Sequence, residues 1–249
     1  MSNDLREERI LGIRFLVGAA PDVVNHSCLK PRALVVAPAA AALVDAQKDN
    51  YFHGCLVAAD FAILDSGFLV LLCNIIAFKS FIKLSGLAYL RELLKRTDFI
   101  NGQGTLWILP SEVAEKRCRN WHANIGLQAG RHAYYVAPIY VAGEIKDEFL
   151  LSQLAEFSPR HIVIGLGGGT QERLGFFIRE NLSNNVVIHC LGAAVAFLSG
   201  DQAGIPVIID RLYLGWLFRC LAEPKRFILR YLKALKLFSI FWNYKNNFK

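Results

Sequence analysis

No stretch of this 249-residue chain is long and apolar enough to span a bilayer. The longest apolar run, Gly67 to Phe78, is broken by Asn74 and falls well short of the roughly 20 residues a spanning helix needs. The polar start, Met1 to Glu8, carries four charges and does not read as a secretory signal. Neither an internal repeat nor a low-complexity linker is visible. None of the six cysteines (28, 55, 73, 118, 190 and 220) forms a C-x-x-C pair, which argues for reduced, buried thiols rather than disulfides or a zinc site. The histidines are scattered. His122 and His132 lack ligand spacing, His161 and His189 each adjoin a strand-like run, and no metal site is expected.

What is present is a composition for a sizeable core: 54% hydrophobic, 12% aromatic and 20% charged, with a mean hydropathy of +0.32. Disorder is excluded, and the length suits one large domain, or one domain with an appendage. The net charge of +7 is unevenly placed. From Arg211 onward stand nine basic residues against the single acid Glu223, a net of +8, whereas the preceding part holds 19 basic and 20 acidic residues, a net of −1. A neutral body with a cationic tail suggests an anionic partner for the tail: ligand phosphates, a nucleic acid or an acidic membrane surface.

Short β-branched runs alternate with longer helix-like segments, the pattern of an α/β domain with a Rossmann-like, largely parallel sheet. Strands are expected at Ala33–Ala37, Phe61–Leu64, Thr105–Leu109, Ala133–Ala137, His161–Leu166 and Val186–Leu191. Helices are expected over Ala39–Asp49 and Leu87–Arg96, after Ser111, after Asp147 and from Thr170. The division is 1–206 for the α/β catalytic domain and 207–249 for a basic helical appendage. Within the appendage, Phe227, Ile228, Tyr231, Leu232, Leu235, Phe238 and Phe241 or Trp242 recur at helical spacing, with Arg226, Arg230, Lys233 and Lys236 between them. Such a helix can lie on an anionic membrane or dock on the protein's own core.

Two local signals could carry chemistry. In HIVIGLGGGTQER, residues 161 to 173, a buried strand runs into Gly165, Gly167, Gly168 and Gly169 and then into a helix. Glycines let a backbone approach a ligand closely, and a helix start offers N–H groups to an anion. The next strand ends without the acid that an NAD site expects. Gln171 and Glu172 are placed to hydrogen-bond sugar hydroxyls, although an acid also suits a helix's first turn. The second signal is Ile63-Leu64-Asp65-Ser66-Gly67, a carboxylate at a strand's C-terminal end, where ligands of open α/β sheets bind. Asp65 is a candidate general base or, equally, a turn or cap residue; Asp60, at the strand's other end, reads as structural.

These blocks resemble the WecB/TagA/CpsF glycosyltransferases (glycosyltransferase family 26), over about Arg32 to Leu232. That family's Asp-Gly strand end, its Gly-Leu-Gly-x-Pro-x-Gln-Glu block and its Trp…Arg…Pro-x-Arg ending are matched by Leu64-Asp65-Ser66-Gly67, by Gly165 to Glu172 and by LGWLFRCLAEPKRFILRYL. The departures are Ala37-Pro38-Ala39 for Thr-Pro-Asn, Ser66 before Gly67, Gly169 for Pro and Gly215 for Glu before Trp216. They point to a divergent branch with a different sugar or to a lost activity. The resemblance implies an inverting transferase that needs no cofactor or metal, acting between a nucleotide-sugar donor (UDP) and a lipid-diphosphate-linked sugar acceptor in cell-surface polysaccharide synthesis. It implies Asp65 as base and Arg219, Arg226 and Arg230 as the cations that receive the leaving diphosphate; the sequence has no Asp-x-Asp motif. It also implies a cytoplasmic protein held peripherally on the inner membrane face, without nucleic acid, and leaves room for a homo-oligomer. A Rossmann enzyme with a nicotinamide or methyl-donor cofactor would account for the glycine loop but not for the tail or Asp65. A nucleic-acid binder would account for the tail but gives Asp65 no role.

Overall fold

The computed structural model describes residues 5–77, 80–100, 104–127, 129–200, 228–229 and 232–246. Its centre is an eight-stranded sheet of β1 (Arg6–Ile10), β2 (Ile13–Val17), β3 (Leu34–Val36), β4 (Phe61–Ala62), β5 (Thr105–Leu109), β6 (Tyr134–Val136), β7 (His161–Ile164) and β8 (Val187–Cys190). The order across the sheet is β1-β2-β4-β3-β8-β7-β5-β6. Only the β1–β2 pair is antiparallel. All six strands expected from the sequence are there, and the sheet is largely parallel as expected. The inner strands are buried throughout, which is why they read as continuous apolar runs rather than alternating ones.

The β1–β2 hairpin is an addition to the six expected strands. Its two-residue loop is Leu11-Gly12, both with positive φ (53° and 78°), a backbone usually signalled by Asn-Gly. Charged β1 shows no inward-outward alternation because it is an edge strand, where charges discourage pairing with another chain.

Helices cover both faces. One face carries α1 (Ala20–Leu29), α5 (Gly86–Leu93), α6 (Thr97–Ile100), α7 (Glu112–Asn124) and α10 (Ala193–Leu198), with Val23, Tyr89, Leu90, Phe99, Cys118 and Val195 buried against the sheet. The other carries α2 (Ala40–Ala46), α3 (Asn50–Ala58), α4 (Gly67–Ala77), α8 (Glu148–Phe157) and α9 (Thr170–Asn181) through Leu43, Leu56, Leu69, Leu150 and Leu174. Local chemistry sets the starts: Ser111 Oγ accepts from Ala114 N–H and Asp147 Oδ1 from Leu150 N–H, each satisfying an orphan donor of the first turn. Asn74, the polar break in the apolar run, bonds both the N–H and the C=O of Phe81 and so holds the chain as it returns from α4.

The last described helix, α11 (Lys236–Asn246), docks on this second face. Ala234, Leu237 and Phe241 are buried in its core, and Lys233 pairs with Asp45 of α2. Leu235, Phe238 and Trp242 point outward instead, each more than half exposed, and the Phe238 and Trp242 rings stack. Helical spacing alone puts these three with Phe241 on one apolar stripe; the helix has two apolar faces, and the core takes the one built on Leu237.

Three imidazoles are buried and held neutral by desolvation. His122 is pushed down to about 3, His161 to about 4 and His189 well below its ordinary 6.5. In the unfolded chain they protonate near 6.5, so unfolding takes up protons across the window from about pH 6.5 to about 4. Stability present at neutral pH is therefore lost as pH falls through that window, by about 1.4 kcal/mol per pH unit for each proton. Glu172, held above the usual carboxylate range by burial, opposes the trend only weakly as a single group. Urea midpoints measured from pH 7.5 to 4.5 are expected to fall steadily; a flat profile would contradict neutral burial of these rings.

Candidate functional site

The chain leaves β3 for α2 on one face of the sheet and leaves the adjacent β8 for α10 on the other. Where neighbouring parallel strands send their connections to opposite faces, a crevice opens beyond their C-terminal ends, and ligands of open α/β sheets bind there. Ala37-Pro38-Ala39 follows β3 at this point, and Ala39 caps α2 without any side-chain bond. Gly192, with φ +46°, makes the turn from β8 into α10.

Asp65 stands on one flank. The chain beyond β4 stays extended through Leu64, which is paired with Leu84, and this pairing brings the start of α5 beside Asp65. Its Oδ1 accepts from the Gly86 N–H at 2.7 Å, the first amide of α5, while Ser85 caps the same helix through Ala88. Ser66, the residue inserted before Gly67, caps α4 by accepting from Leu69. Asp65 therefore lies at the starts of two helices, half-buried, and its Oδ2 makes no hydrogen bond among the described residues. Among the described residues the carboxylate is anchored by one oxygen.

The glycine loop occupies the other flank, and its glycines do different work. At Gly165 an added Cβ would touch Ile108 O, Leu109 and Val195 at 3.4 Å, so this residue serves close packing. Gly167 and Gly168 are exposed, with nothing within 4 Å of such an atom; here the backbone is open to a ligand. Gly169 turns into α9 with φ +91°. Glu172 is only 1% exposed: Oε2 accepts from Gly169 N–H at 2.6 Å and Oε1 from the Gln171 carboxamide at 3.0 Å. Both oxygens are thus spent inside the protein. Glu172 thereby helps to hold the loop's shape.

Gln171 is different. The residue is 4% exposed, yet among the described residues its Oε1 has no hydrogen-bond partner, an arrangement that costs free energy unless another donor arrives. That oxygen faces the β8–α10 turn, 3.1 Å from where a Cβ on Gly192 would stand. A Cβ on Gly86 would likewise sit 3.7 Å from Asp65 Oδ1, from Leu191 O and from Ala194. Two glycines thus link Asp65 on one side, through Leu191 and Gly192, to Gln171 on the other. The fold brings the two sequence signals together around one turn.

Arg173 carries no motif signal in the sequence. It donates to Gly169 O at 2.9 Å and to Asp49, the cap of α3, at 2.6 Å, and it lies over the Phe52 ring. It braces the loop rather than facing the open glycines. Asp60, as expected, is structural: it accepts from Leu34 N–H and pairs with Lys30 and Arg179 at the opposite end of the sheet. Arg219, Arg226 and Arg230 lie outside the described residues, as do Trp216 and the 207–227 part of the appendage. One group among the described residues could hold a metal ion: Cys28, His161 and His189. These residues are distant in sequence, and none sits in a ligand-spaced motif; the fold alone gathers them, away from Asp65.

The chain is 25% identical over 127 residues to N-acetylglucosaminyldiphosphoundecaprenol N-acetyl-beta-D-mannosaminyltransferases of Staphylococcus aureus, among them those of strains NCTC 8325 / PS 47, COL and MRSA252. The match takes in 51% of this chain and 45% of each relative, so the chain spans about half the length of the curated relatives it matches. A family model described as Glycosyl transferase WecG/TagA/CpsF family matches residues 8–249. With a parallel α/β sheet and both sequence blocks at its C-terminal edge, the chain belongs to the WecG/TagA/CpsF family of glycosyl transferases.

Proposed function

We propose that this chain transfers a sugar from a UDP-sugar to a lipid-diphosphate-linked sugar, with inversion and without a catalytic metal. The observation that carries the reading is the pairing, around the Gly192 turn, of a singly anchored carboxylate with an open glycine loop. The Staphylococcus aureus relatives are named for an acceptor of this class, N-acetylglucosaminyldiphosphoundecaprenol. Donor identity is left to the pocket, and Ala37 and Ala39, which replace polar residues of the resembled family, are where a different sugar would be accommodated.

In a single displacement Asp65 takes the proton of the acceptor hydroxyl while that oxygen bonds to the anomeric carbon and the nucleoside diphosphate departs from the opposite face. The bond to Gly86 N–H fixes the carboxylate, so orientation is set before substrate binds. The exposed backbone of Gly167 and Gly168 lies along the diphosphate, and Gln171 Oε1 accepts from a donor hydroxyl. Glu172 acts through the loop, and Gly165 and Gly169 shape it. Charge growing on the leaving diphosphate is neutralised by Arg219, Arg226 and Arg230, whose guanidinium forks suit phosphate oxygens. The appendage that carries them, 207–249, also seats the protein on an anionic membrane at the cytoplasmic face, where the lipid acceptor resides. Among the described residues no helix is long and apolar enough to cross a membrane. The outward face of α11 and the turn before it, with Phe238, Trp242 and Leu235 exposed beside cationic Lys233 and Lys236, suits an interfacial position.

Asp65→Asn separates the chemistry from the fold, because an asparagine oxygen can still accept from Gly86 N–H. Assayed with a synthetic lipid-diphosphate acceptor and a panel of UDP-sugars, the wild type should form product from one donor. The variant should lose about 10²- to 10⁴-fold of that rate with an unchanged Tm. Surviving activity would remove Asp65 as base; absence of product from every UDP-sugar would overturn the class. For the tail, replacing Leu235, Phe238 and Trp242 together by serine should weaken co-sedimentation with anionic vesicles and leave the circular dichroism spectrum intact. Equal sedimentation would contradict docking through this face.

A further inference from the structure

At the end of the sheet opposite the glycine loop His161 opens β7, and His189 lies further along the sheet on β8, beside Val163; both are directed at the face covered by α1 and α5. Their rings stack with centroids 5.4 Å apart, and His161 Nδ1 faces His189 Nε2 at 3.2 Å. The outward nitrogens have their own neighbours. Tyr89 Oη lies 3.1 Å from His189 Nδ1, and Asp98 Oδ2 lies 3.7 Å from His161 Nε2. Cys28, near the end of α1, completes the group: its Sγ and one nitrogen of each imidazole lie within 4.8 Å of one another.

Without an ion the hydrogen-bond arithmetic closes poorly. If Tyr89 donates to His189 Nδ1, then His189 Nε2–H donates to His161 Nδ1, and His161 is left with its Nε2–H. That nitrogen is buried and has no hydrogen-bond partner among the described residues; at 3.7 Å the Asp98 carboxylate is too far to accept fully. With an ion the same atoms fall into a recurring arrangement. Two nitrogens bound to one tetrahedral zinc at about 2.0–2.1 Å stand about 3.3–3.4 Å apart, close to the separation seen. Metal-bound histidines ordinarily direct the other ring nitrogen at a carboxylate or another polar group that fixes the ring; Asp98 and Tyr89 hold those positions.

We propose that Cys28, His161 and His189 form a site for a borderline divalent ion of the zinc type, distinct from the transferase site and serving to bolt α1 to the two strands that lead into the crevice. On binding, His161 Nδ1 and His189 Nε2 donate their lone pairs to the ion, and the His189 proton resides on Nδ1, directed at Tyr89 Oη. The Cys28 thiol gives its proton to solvent as the sulfur–metal bond forms, so one proton is released per ion. Thiolate and divalent charge leave a net +1 at the centre, opposite Asp98. Arg96 and Arg160 also face that carboxylate, which keeps Asp98 as an orienting partner and leaves the fourth position to water. Cys28 is partly exposed and supplies the route for entry. This inference stands apart from the proposed transferase activity, and its readouts do not use that activity.

The test uses the full chain, stripped with a chelator under reducing conditions and titrated with Co²⁺ and, separately, Zn²⁺. One Co²⁺ per chain is expected, with the near-ultraviolet sulfur-to-cobalt charge-transfer band and the intense visible bands of tetrahedral coordination; Zn²⁺ should displace it and raise the Tm. Cys28→Ser should retain the fold, lose the charge-transfer band and bind at least tenfold more weakly, in line with the cost of disturbing a metal's surroundings. His161→Gln should also weaken binding while leaving the three cysteines buried on the remaining helices untouched. Failure of the wild type to retain metal after dialysis would overturn the proposal. So would a charge-transfer band that persists in Cys28→Ser.

Discussion

A parallel sheet must send the chain from the end of each strand to one face or the other, and this sheet splits the choice at β3 and β8. The crevice that results depends on close approaches that larger residues would spoil. An added Cβ on Gly192 would stand 2.9 Å from Leu166 O in a backbone of positive φ, and one on Gly175 would stand 2.8 Å from Leu34 and 2.9 Å from Cys190. Tight contact between α9, the β8 turn and α5 is what places Gln171 and Asp65 around the same few residues. The candidate site groups are thus set by backbone packing, with the polar side chains arranged on top of it.

Much of this is legible in the sequence because parallel strands buried on both faces leave continuous β-branched runs, and because glycines and cap residues punctuate their ends. The strand ending at Asp65, the glycine block and the helix starts at Ser111, Asp147 and Thr170 all belong to that readable class. The hairpin of β1 and β2 does not, since an edge strand of charged residues joined by Leu-Gly carries neither alternation nor a usual turn signal. Helical spacing finds α11 but not its buried side, because two apolar stripes on one helix look alike until the docking partner is known. Glu172 illustrates the same limit at the site: an acid in the first turn can face a ligand or cap its own loop, and only the geometry shows both of its oxygens engaged.

The two ends of the sheet have opposite characters. At the C-terminal edge the backbone is open at Gly167 and Gly168, and Gln171 Oε1 has no donor among the described residues. At the other end aromatic rings and ion pairs close around Cys28 and His161, whose ring stacks on that of His189 further along the sheet. Strands β7 and β8 run between them, so whatever stiffens one end also steadies the turns at the other. On the proposed reading the cationic tail adds the missing element at the open end, neutralising a diphosphate that the neutral body does not.

The claim on which the account turns is that a nucleotide diphosphate lies on the glycine loop in the β3–β8 crevice. Amide hydrogen exchange of the full chain, with and without UDP, tests it directly. Slowed exchange is predicted at residues 165–170 and 191–194, with the amides around His161 and Cys28 unchanged. Protection that spares Gly167 and Gly168, or that gathers at the opposite end of the sheet, would contradict it.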